Sequence, residues 1–251
     1  MHPILFTIGP VKVYTYGLLI SLGFIIASTV AAGRAGKEGL DPEPVMDLAF
    51  YSLIAAIVGS RLLYAVVNYR YFLADPLRIF KLWEGGLVFY GGLIGAVGVG
   101  VWYVRKQQLP VWLTLDVFAP SIALGQGIGR LGCFAAGCCY GRKCDLPWAV
   151  TFTNQKGLAP LGIPLHPTQL YASFNLIMIF SFLSWFRKRR SFEGQIFALY
   201  LIIYSIHRFI IEFFRSDHRG TVFMLSTSQF ISLFIISLGI WAYLAKSIKS
   251  N

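Results

Sequence analysis

A few charged and histidine side chains interrupt the apolar stretches of this 251-residue chain. Such groups are costly in lipid, so each is expected to face a bundle interior or a wet cavity. Arg130 and Arg208 stand out, because two guanidinium groups at one cavity form a fork suited to the phosphate of a lipid headgroup. Glu212, four residues after Arg208, compensates part of that charge. Purely structural pairing of the arginines with Glu212 or Asp116 is the alternative. The remaining members of the group are Arg61, Glu84, His166 and His207.

Glycines crowd the sequence on both sides of Arg130. They are Gly125, Gly127, Gly129, Gly132, Gly137 and Gly141. Backbone without a Cβ can come close to a ligand, which favours a binding site here. Small residues also let helices pack closely, and this interpretation fits the second cluster, Gly91, Gly92, Gly95 and Gly98, equally well. The glycines alone do not decide between the two.

All four cysteines follow Arg130 within a short stretch, as Cys133, Cys138, Cys139 and Cys144. On the outer face of a membrane this pattern favours one or two disulfides, with the adjacent Cys138 and Cys139 pairing to different partners. A zinc site is the rival, although the spacing lacks the usual Cys-x2-Cys knuckle. Reactive thiols are the third alternative. We therefore expect disulfides and no metal or cofactor.

Composition supplies the frame for these residues, since 56% of the chain is hydrophobic, 13% is charged and the mean hydropathy is +0.64. Apolar runs of about 20 residues predict membrane-spanning helices. The predicted class is an all-α membrane protein with seven transmembrane helices, forming one polytopic domain over residues 1–251. Two longer connections are an arm segment at about 68–85 and a small extracytoplasmic head at about 131–166. The spans are 14–32, 47–67, 86–104, 113–130, 167–186, 194–214 and 224–245.

The basic run Arg187–Arg190 is the strongest orienting signal, and the positive-inside rule assigns it to the cytoplasm. Seven spans then place the N-terminus outside, the C-terminus in the cytoplasm, and both the arm and the head on the outer face. The net charge of +11 fits contact with anionic lipid headgroups. No nucleic-acid-binding module accompanies it, so nucleic acid is excluded as a partner.

Four stretches together resemble the bacterial prolipoprotein diacylglyceryl transferase family. The first is Ile8-Gly-Pro-Val with Tyr14-Thr-Tyr16-Gly17, and the second runs from Trp83 through Tyr90 to Gly95. The third runs from Gly129-Arg130-Leu-Gly132 to Gly141-Arg142. The fourth joins His166-Pro-Thr-Gln169-Leu-Tyr171 to the segment from Tyr204 to Arg215.

The resemblance implies an enzyme of the bacterial inner membrane. It would transfer the diacylglyceryl group of phosphatidylglycerol to the lipobox cysteine thiol of a prolipoprotein signal peptide, forming a thioether and releasing glycerol phosphate. Arg130 resembles the phosphatidylglycerol-binding arginine of the family and Arg208 its second essential arginine. The residues expected to act in catalysis are Arg130, Arg208, Tyr90, Tyr204 and Glu212. Those expected to bind substrate are Arg130, Tyr16, Gly91, Gly92, Gly132, Gly141, His166 and Gln169.

The chain departs from the family pattern at two places. Tyr90 stands where the family usually has histidine, and with an ordinary pKa near 10 tyrosine is a poor base. His207 and His166 are substitutes, each more often structural. Cys133, Ala136 and Cys138 stand where the family commonly has two asparagines and a glutamate after the Arg130 motif. A diverged relative that binds anionic lipid or performs thiol redox chemistry is therefore the alternative function. A transporter is a third, disfavoured because no inverted repeat is visible.

Overall fold

The computed structural model describes residues 2–9, 11–216, 220–222 and 224–250. Most of this part of the chain is α-helical. The helices are α1 (Thr15–Lys37), α2 (Pro42–Val67), α3 (Tyr69–Ala74), α4 (Phe89–Lys106), α5 (Val111–Ala136), α6 (Thr168–Phe186), α7 (Gln195–Glu212) and α8 (Thr227–Ser250). Short 3-10 helices cover Pro76–Phe80, Leu82–Glu84 and Arg187–Arg189.

Within the described residues, six helices are long and apolar enough to cross a membrane, so the chain is a multi-pass membrane protein. These are α1, α2, α5, α6, α7 and α8. The seventh predicted span, 86–104, is helical as α4, but its mean hydropathy is lower than that of the six. The 18 residues of α4 include five glycines and end in Arg105 and Lys106, which lowers the mean hydropathy.

Three short two-stranded antiparallel sheets accompany the helices of this mostly α-helical membrane protein. They are β1 (Ile4–Ile8) with β2 (Val11–Tyr14), β3 (Val150–Thr151) with β4 (Pro164–Leu165), and β5 (Thr221–Val222) with β6 (Leu225–Ser226). The turn of the first hairpin contains Gly9 at φ 56°, a conformation that glycine adopts without steric cost. The two-residue strands β3 to β6 are too short to leave a periodic signal in the sequence, which is why they were not predicted.

Contacts cluster in two compact units, residues 31–114 and residues 1–30 with 115–251. In the 31–114 unit, α2 and α4 run antiparallel in close contact. A Cβ on Gly91 would lie 2.3 Å from the carbonyl oxygen of Gly59, and one on Gly95 would lie 2.4 Å from that of Ala55. These glycines are therefore required for helix packing. At the other end of the pair the Tyr103 hydroxyl donates to Asp47 over 3.0 Å.

Arg61 holds the predicted arm segment against α2. Its guanidinium is buried and donates to backbone carbonyl oxygens of the loop, including Ile79 at 2.9 Å, Lys81 at 3.1 Å and Gly86 at 3.2 Å. The ring of Phe72 lies 5.3 Å from the same group. Arg61, one of the candidate charged residues, thus has a structural role in folding the arm.

In the second unit, α5, α6 and α7 share a core that contains Ala119, Leu176, Leu183 and Ile196. The glycines of α5 allow close packing on two sides. A Cβ on Gly125 would meet the Ala27 side chain of α1 at 3.1 Å, and others would be tight at Gly127 against α6 and at Gly132 against α1. Helix packing therefore accounts for these three α5 glycines.

Asp116 is almost completely buried near the start of α5 and binds the N-terminus of α7. Its carboxylate accepts hydrogen bonds from the backbone N–H groups of Gly194 and Phe197, each at 2.8 Å, and pairs with Arg190 at 3.5 Å. A carboxylate in this place compensates both the free N–H groups and the positive end of the helix dipole. Asp116 is thus a structural partner of α7, and it does not pair with Arg130 or Arg208.

Candidate functional site

One pocket in the second unit collects both arginines that were predicted from the sequence. The side chains come from the end of α5, the start of α6, the second half of α7 and the turn after α5. The lining residues are Arg130, Cys139, Thr168, Gln169, Ala172, Leu176, Tyr204, His207, Arg208, Ile211 and Arg215.

Arg130 lies inside α5, which continues to Ala136, so the head begins near residue 137 and not at 131. Among the described residues, Arg130 forms no hydrogen bond or ion pair. A half-buried guanidinium with this freedom can bind an anion with all of its donors. Structural pairing, the alternative that the sequence left open, therefore does not apply to Arg130.

Arg208 is held in place by neighbouring side chains. Its guanidinium donates to the Glu212 carboxylate over 2.6 Å and to the Ser228 hydroxyl of α8 over 2.8 Å. The same carboxylate lies 3.8 Å from the Arg215 guanidinium, and all three charged side chains are largely buried. Glu212 thus compensates one of the three arginines in and around the pocket. The balance is an excess of positive charge suited to a phosphate.

Arg215 was not singled out from the sequence. Tyr204, Arg208, Ile211 and Arg215 recur at helical spacing and all line the pocket, although α7 itself ends at Glu212. That spacing was the available signal. The signal was overlooked because Arg215 falls beyond the predicted apolar span. Its backbone forms a β-bridge with Gly141, and that contact exists only in the tertiary structure.

Gly141 and His166 lie where the head crosses the end of α7. The Gly141 N–H donates to the His166 carbonyl over 3.1 Å, and the Arg142 N–H donates to that of Phe214 over 2.8 Å. A Cβ on Gly141 would lie 2.5 Å from the Cβ of His166, so only glycine fits. The His166 ring packs on Phe214 and lies 3.3 Å from the Tyr171 hydroxyl. Neither residue lines the pocket, and their predicted substrate contacts remain predictions.

Gln169 and Thr168 fix the turn that carries the cysteines. The Gln169 amide donates to the Cys138 carbonyl and the Thr168 hydroxyl to the Cys139 carbonyl, each at 2.7 Å. The amide oxygen of Gln169 is buried and accepts no hydrogen bond from the described residues. Cys139 has φ 62°, a strained backbone conformation for a residue with a side chain. Gln169, predicted to bind substrate, therefore has a vacant acceptor at the pocket.

Tyr204 and His207 line the pocket from α7, whereas Tyr16 is not among its lining residues and its predicted substrate contact remains a prediction. Tyr204 stacks on Tyr200 with ring centres 5.4 Å apart. Tyr16 begins α1 beside the end of α5, where Gly132 leaves room for its backbone. The Nδ1 atom of His207 lies 3.2 Å from the Asn175 side-chain nitrogen. His207 is therefore engaged in a side-chain hydrogen bond at the pocket wall.

A larger apolar groove of about 730 Å³ adjoins the pocket along α6 and α7. It shares His207 and Ile211 with the pocket. The rest of its wall is mostly apolar, namely Leu170, Tyr171, Phe174, Asn175, Met178, Ile179, Ile203, Ile206, Ile210 and Phe214. A cationic pocket beside an apolar groove suits the two parts of a phospholipid, although the pocket, at about 10 Å³, must widen to admit a phosphate.

Tyr90, Gly91 and Gly92 belong to the 31–114 unit. Tyr90 is half exposed and its ring meets that of Phe89 edge-on at 5.8 Å. Gly91 and Gly92 are buried in the α2–α4 contact. Their predicted roles in catalysis and substrate binding remain predictions.

No disulfide joins the four cysteines, all of which lie within the described residues, and the disulfides that the sequence favours stay a prediction. The sulfur atoms of Cys133, Cys138 and Cys139 lie within 4.8 Å of one another. Hydrogen bonds from Cys133 and Cys138, together with Arg215, lower the pKa of Cys139. Hydrogen bonding to Cys133 and Cys139, together with burial, raises the pKa of Cys138. Cys144 is buried separately.

Comparison with known proteins identifies the family. The profile described as "Prolipoprotein diacylglyceryl transferase" matches residues 3–245. The chain belongs to the prolipoprotein diacylglyceryl transferase family. It is 42% identical over 243 residues to the phosphatidylglycerol–prolipoprotein diacylglyceryl transferase of Clostridium tetani, covering 97% of each protein.

Two further members of the family are similar over nearly their whole length. The second such transferase of Clostridium perfringens is 37% identical over 252 residues, covering 100% of this chain and 98% of the relative. The transferase of Vibrio campbellii is 39% identical over 254 residues, covering 97% of this chain and 91% of the relative. The family resemblance predicted from the motifs is therefore confirmed. The names of these relatives favour a transferase over the diverged lipid-binding or redox protein.

Proposed function

We propose that this protein transfers the diacylglyceryl group of phosphatidylglycerol to the lipobox cysteine thiol of a prolipoprotein, forming a thioether and releasing glycerol phosphate. The relatives are named for phosphatidylglycerol and prolipoprotein. The observation that carries the proposal is the Arg130 guanidinium, which has no protein partner among the described residues and shares a pocket with Arg208.

The lipid phosphate would bind between these two arginines. Arg208 is already oriented by Glu212 and Ser228, so it needs little reorganisation when the anion arrives. Arg130 supplies the second fork of donors. The vacant acceptor on Gln169 would receive a hydrogen bond from a glycerol hydroxyl of the headgroup. The adjoining groove along α6 and α7 would take the acyl chains, because its wall is almost entirely apolar.

In the reaction the acceptor thiolate attacks the glyceryl carbon that carries the phosphate ester. The new C–S bond forms while the C–O bond breaks, and glycerol phosphate leaves with the bonding electrons. Negative charge grows on the leaving phosphate in the transition state, where Arg130 and Arg208 stabilise it. Tyr204 lies in the same pocket and would orient the headgroup, whereas Glu212 acts by positioning Arg208.

We also propose α4 as the seventh membrane span. It runs antiparallel to the membrane-spanning α2 from the contact of Gly91 with Gly59 to that of Tyr103 with Asp47, so the two helices cover similar depth. Seven spans in the bacterial inner membrane place the N-terminus outside and the C-terminus in the cytoplasm.

The geometry of α7 supports this orientation. Arg190 lies at the N-terminal end of α7 and the arginine pocket at the C-terminal end. An 18-residue helix is roughly 27 Å long, close to the thickness of the hydrocarbon core. With the Arg187–Arg190 run in the cytoplasm, the pocket opens near the outer surface, together with the head.

The test is release of glycerol phosphate from phosphatidylglycerol by the purified protein. A lipobox peptide, the same peptide with serine in place of cysteine, and no peptide are compared, using wild type and Arg130→Ala. We expect release only with the cysteine peptide, and a loss of release in Arg130→Ala. Peptide-independent release, or none with wild type, would contradict the proposal.

A further inference from the structure

The three gathered sulfurs lie at the wall of the pocket. Cys139 lines the pocket together with Arg130 and Arg208, and Cys133 and Cys138 lie behind it. A tetrahedral Zn²⁺ with bonds of about 2.3 Å to sulfur separates its sulfur ligands by roughly 3.8 Å. Because all three sulfur atoms lie within 4.8 Å of one another, small side-chain rotations suffice to bring them to one ion.

The backbone around the sulfurs is fixed by other side chains. Thr168 and Gln169 are buried and hold the carbonyl groups of Cys139 and Cys138. Cys133 is anchored in the last turns of α5. A preformed set of ligands supported by neighbouring hydrogen bonds is typical of a metal site.

Three protein ligands and one open position are the arrangement of catalytic zinc sites. We infer that Cys133, Cys138 and Cys139 bind Zn²⁺ and that the fourth coordination position receives the acceptor cysteine thiol as a thiolate. This inference rests on the proposed function, because that function identifies the acceptor as the lipobox cysteine of a prolipoprotein. It replaces the expectation that the chain holds no metal.

The charge around the site suits such a complex. Zn²⁺ with three thiolates carries a net charge of −1, and the acceptor thiolate makes it −2. Cys139 shares the pocket lining with Arg130 and Arg215, so two guanidinium groups lie near this negative charge.

The chemical step stays balanced with the metal present. The acceptor thiol releases its proton to water as its sulfur binds Zn²⁺. The sulfur then forms the bond to the glyceryl carbon, and glycerol phosphate departs with the electron pair of the broken C–O bond. The thioether product is a neutral and weaker ligand, so it leaves the ion and the site reopens.

The first experiment measures zinc in the purified full-length protein after loading with Zn²⁺ and desalting. One zinc per chain is expected for wild type and for the matched control Cys144→Ser, because Cys144 lies outside the cluster. Cys133→Ser, Cys138→Ser and Cys139→Ser should each bind zinc more than about tenfold more weakly in competition with a chelator. Wild type without stoichiometric zinc, a disulfide among the three sulfurs, or unchanged affinity in the variants would overturn the site.

The second experiment tests the open position without requiring turnover. Co²⁺ replaces Zn²⁺, and the sulfur-to-cobalt charge-transfer absorption is followed while a lipobox peptide is added. The cysteine peptide should strengthen this absorption and the serine peptide should not. Equal spectra with both peptides would overturn acceptor binding at the metal.

Transfer activity is measured separately on zinc-loaded and chelated protein, with all variants assayed in parallel. Full transfer by zinc-free wild type would overturn the catalytic role of the metal and leave the proposed function standing. A cobalt response to the cysteine peptide without transfer in any form would support the metal site and contradict the proposed function.

Discussion

Replacement of Arg130 by lysine keeps the positive charge and changes only the geometry of the donors. The arginine has no ion-pair partner among the described residues, whereas Arg208 is tied to Glu212 over 2.6 Å. A lysine at position 130 therefore gains no carboxylate and disturbs no existing pair. The substitution isolates the contribution of the planar guanidinium to phosphate binding.

The expected loss follows from the number of hydrogen bonds. A guanidinium donates two parallel bonds to a phosphate, whereas an ammonium at the same site donates one in a comparable direction. One hydrogen bond to a charged group contributes about 1.5–3 kcal/mol. Since about 1.4 kcal/mol corresponds to a tenfold change in rate, kcat/KM should fall roughly 10- to 150-fold. Most of the loss should appear in kcat, because negative charge on the phosphate grows in the transition state.

The assay is the initial rate of glycerol phosphate release at varied phosphatidylglycerol, with saturating lipobox peptide. Arg189→Lys is the matched control, since Arg189 is exposed and contacts the ring of Trp185 at 4.3 Å. The control should stay close to wild type. If Arg130→Lys retains kcat/KM within twofold of wild type, the fork argument for the phosphate is refuted.

Three further substitutions test contacts that hold the site in place. Gly141→Ala should lower the melting temperature in detergent and abolish most transfer, because its Cβ would lie 2.5 Å from that of His166. Asp116→Asn should destabilise the protein by about 1–3 kcal/mol, measured by denaturant unfolding, because the buried partner of Arg190 and of the α7 N-terminus loses its charge. Arg61→Lys should speed proteolysis of the arm, because a lysine cannot bind all the carbonyl groups that the guanidinium now holds.

Each of these has a matched control within the chain. Gly98→Ala adds a methyl group where no atom lies within 4 Å, so stability should be unchanged. Asp145→Asn alters an exposed carboxylate, and Arg70→Lys alters an exposed arginine of the same arm. If a variant and its control behave alike, the contact assigned to the variant is not important for stability.

The helices could be predicted from the sequence because transfer of an apolar side chain to lipid depends on the residue and not on its neighbours. All seven predicted apolar stretches are helical, with ends within several residues of the predictions. The largest differences lie at the start of α2, which extends back to Pro42, and at the ends of α1, α5 and α8, each of which extends beyond the prediction. Arg130 therefore lies inside a helix, and its guanidinium lines a pocket that could not be seen in the sequence.

The residues whose types could do chemistry could also be recognised from the sequence alone. An arginine in an apolar segment needs an anion or other hydrogen-bond acceptors, whatever the fold. The motifs around Arg130 and Arg208 indicated the family that the comparisons confirm. The pairing of Arg208 with Glu212 could be predicted as well, because four residues make one helical turn.

Only tertiary structure decided which groups meet. Asp116 binds α7 although almost 80 residues separate the partners, and Arg215 reaches the pocket through a bridge to the head. Cys138 and Cys139 turn back onto Cys133 because Gly137 and Cys139 take positive φ angles and Gln169 holds the turn. Burial and helical period act locally and can be seen in the sequence, whereas contacts between distant segments depend on packing that no single segment specifies.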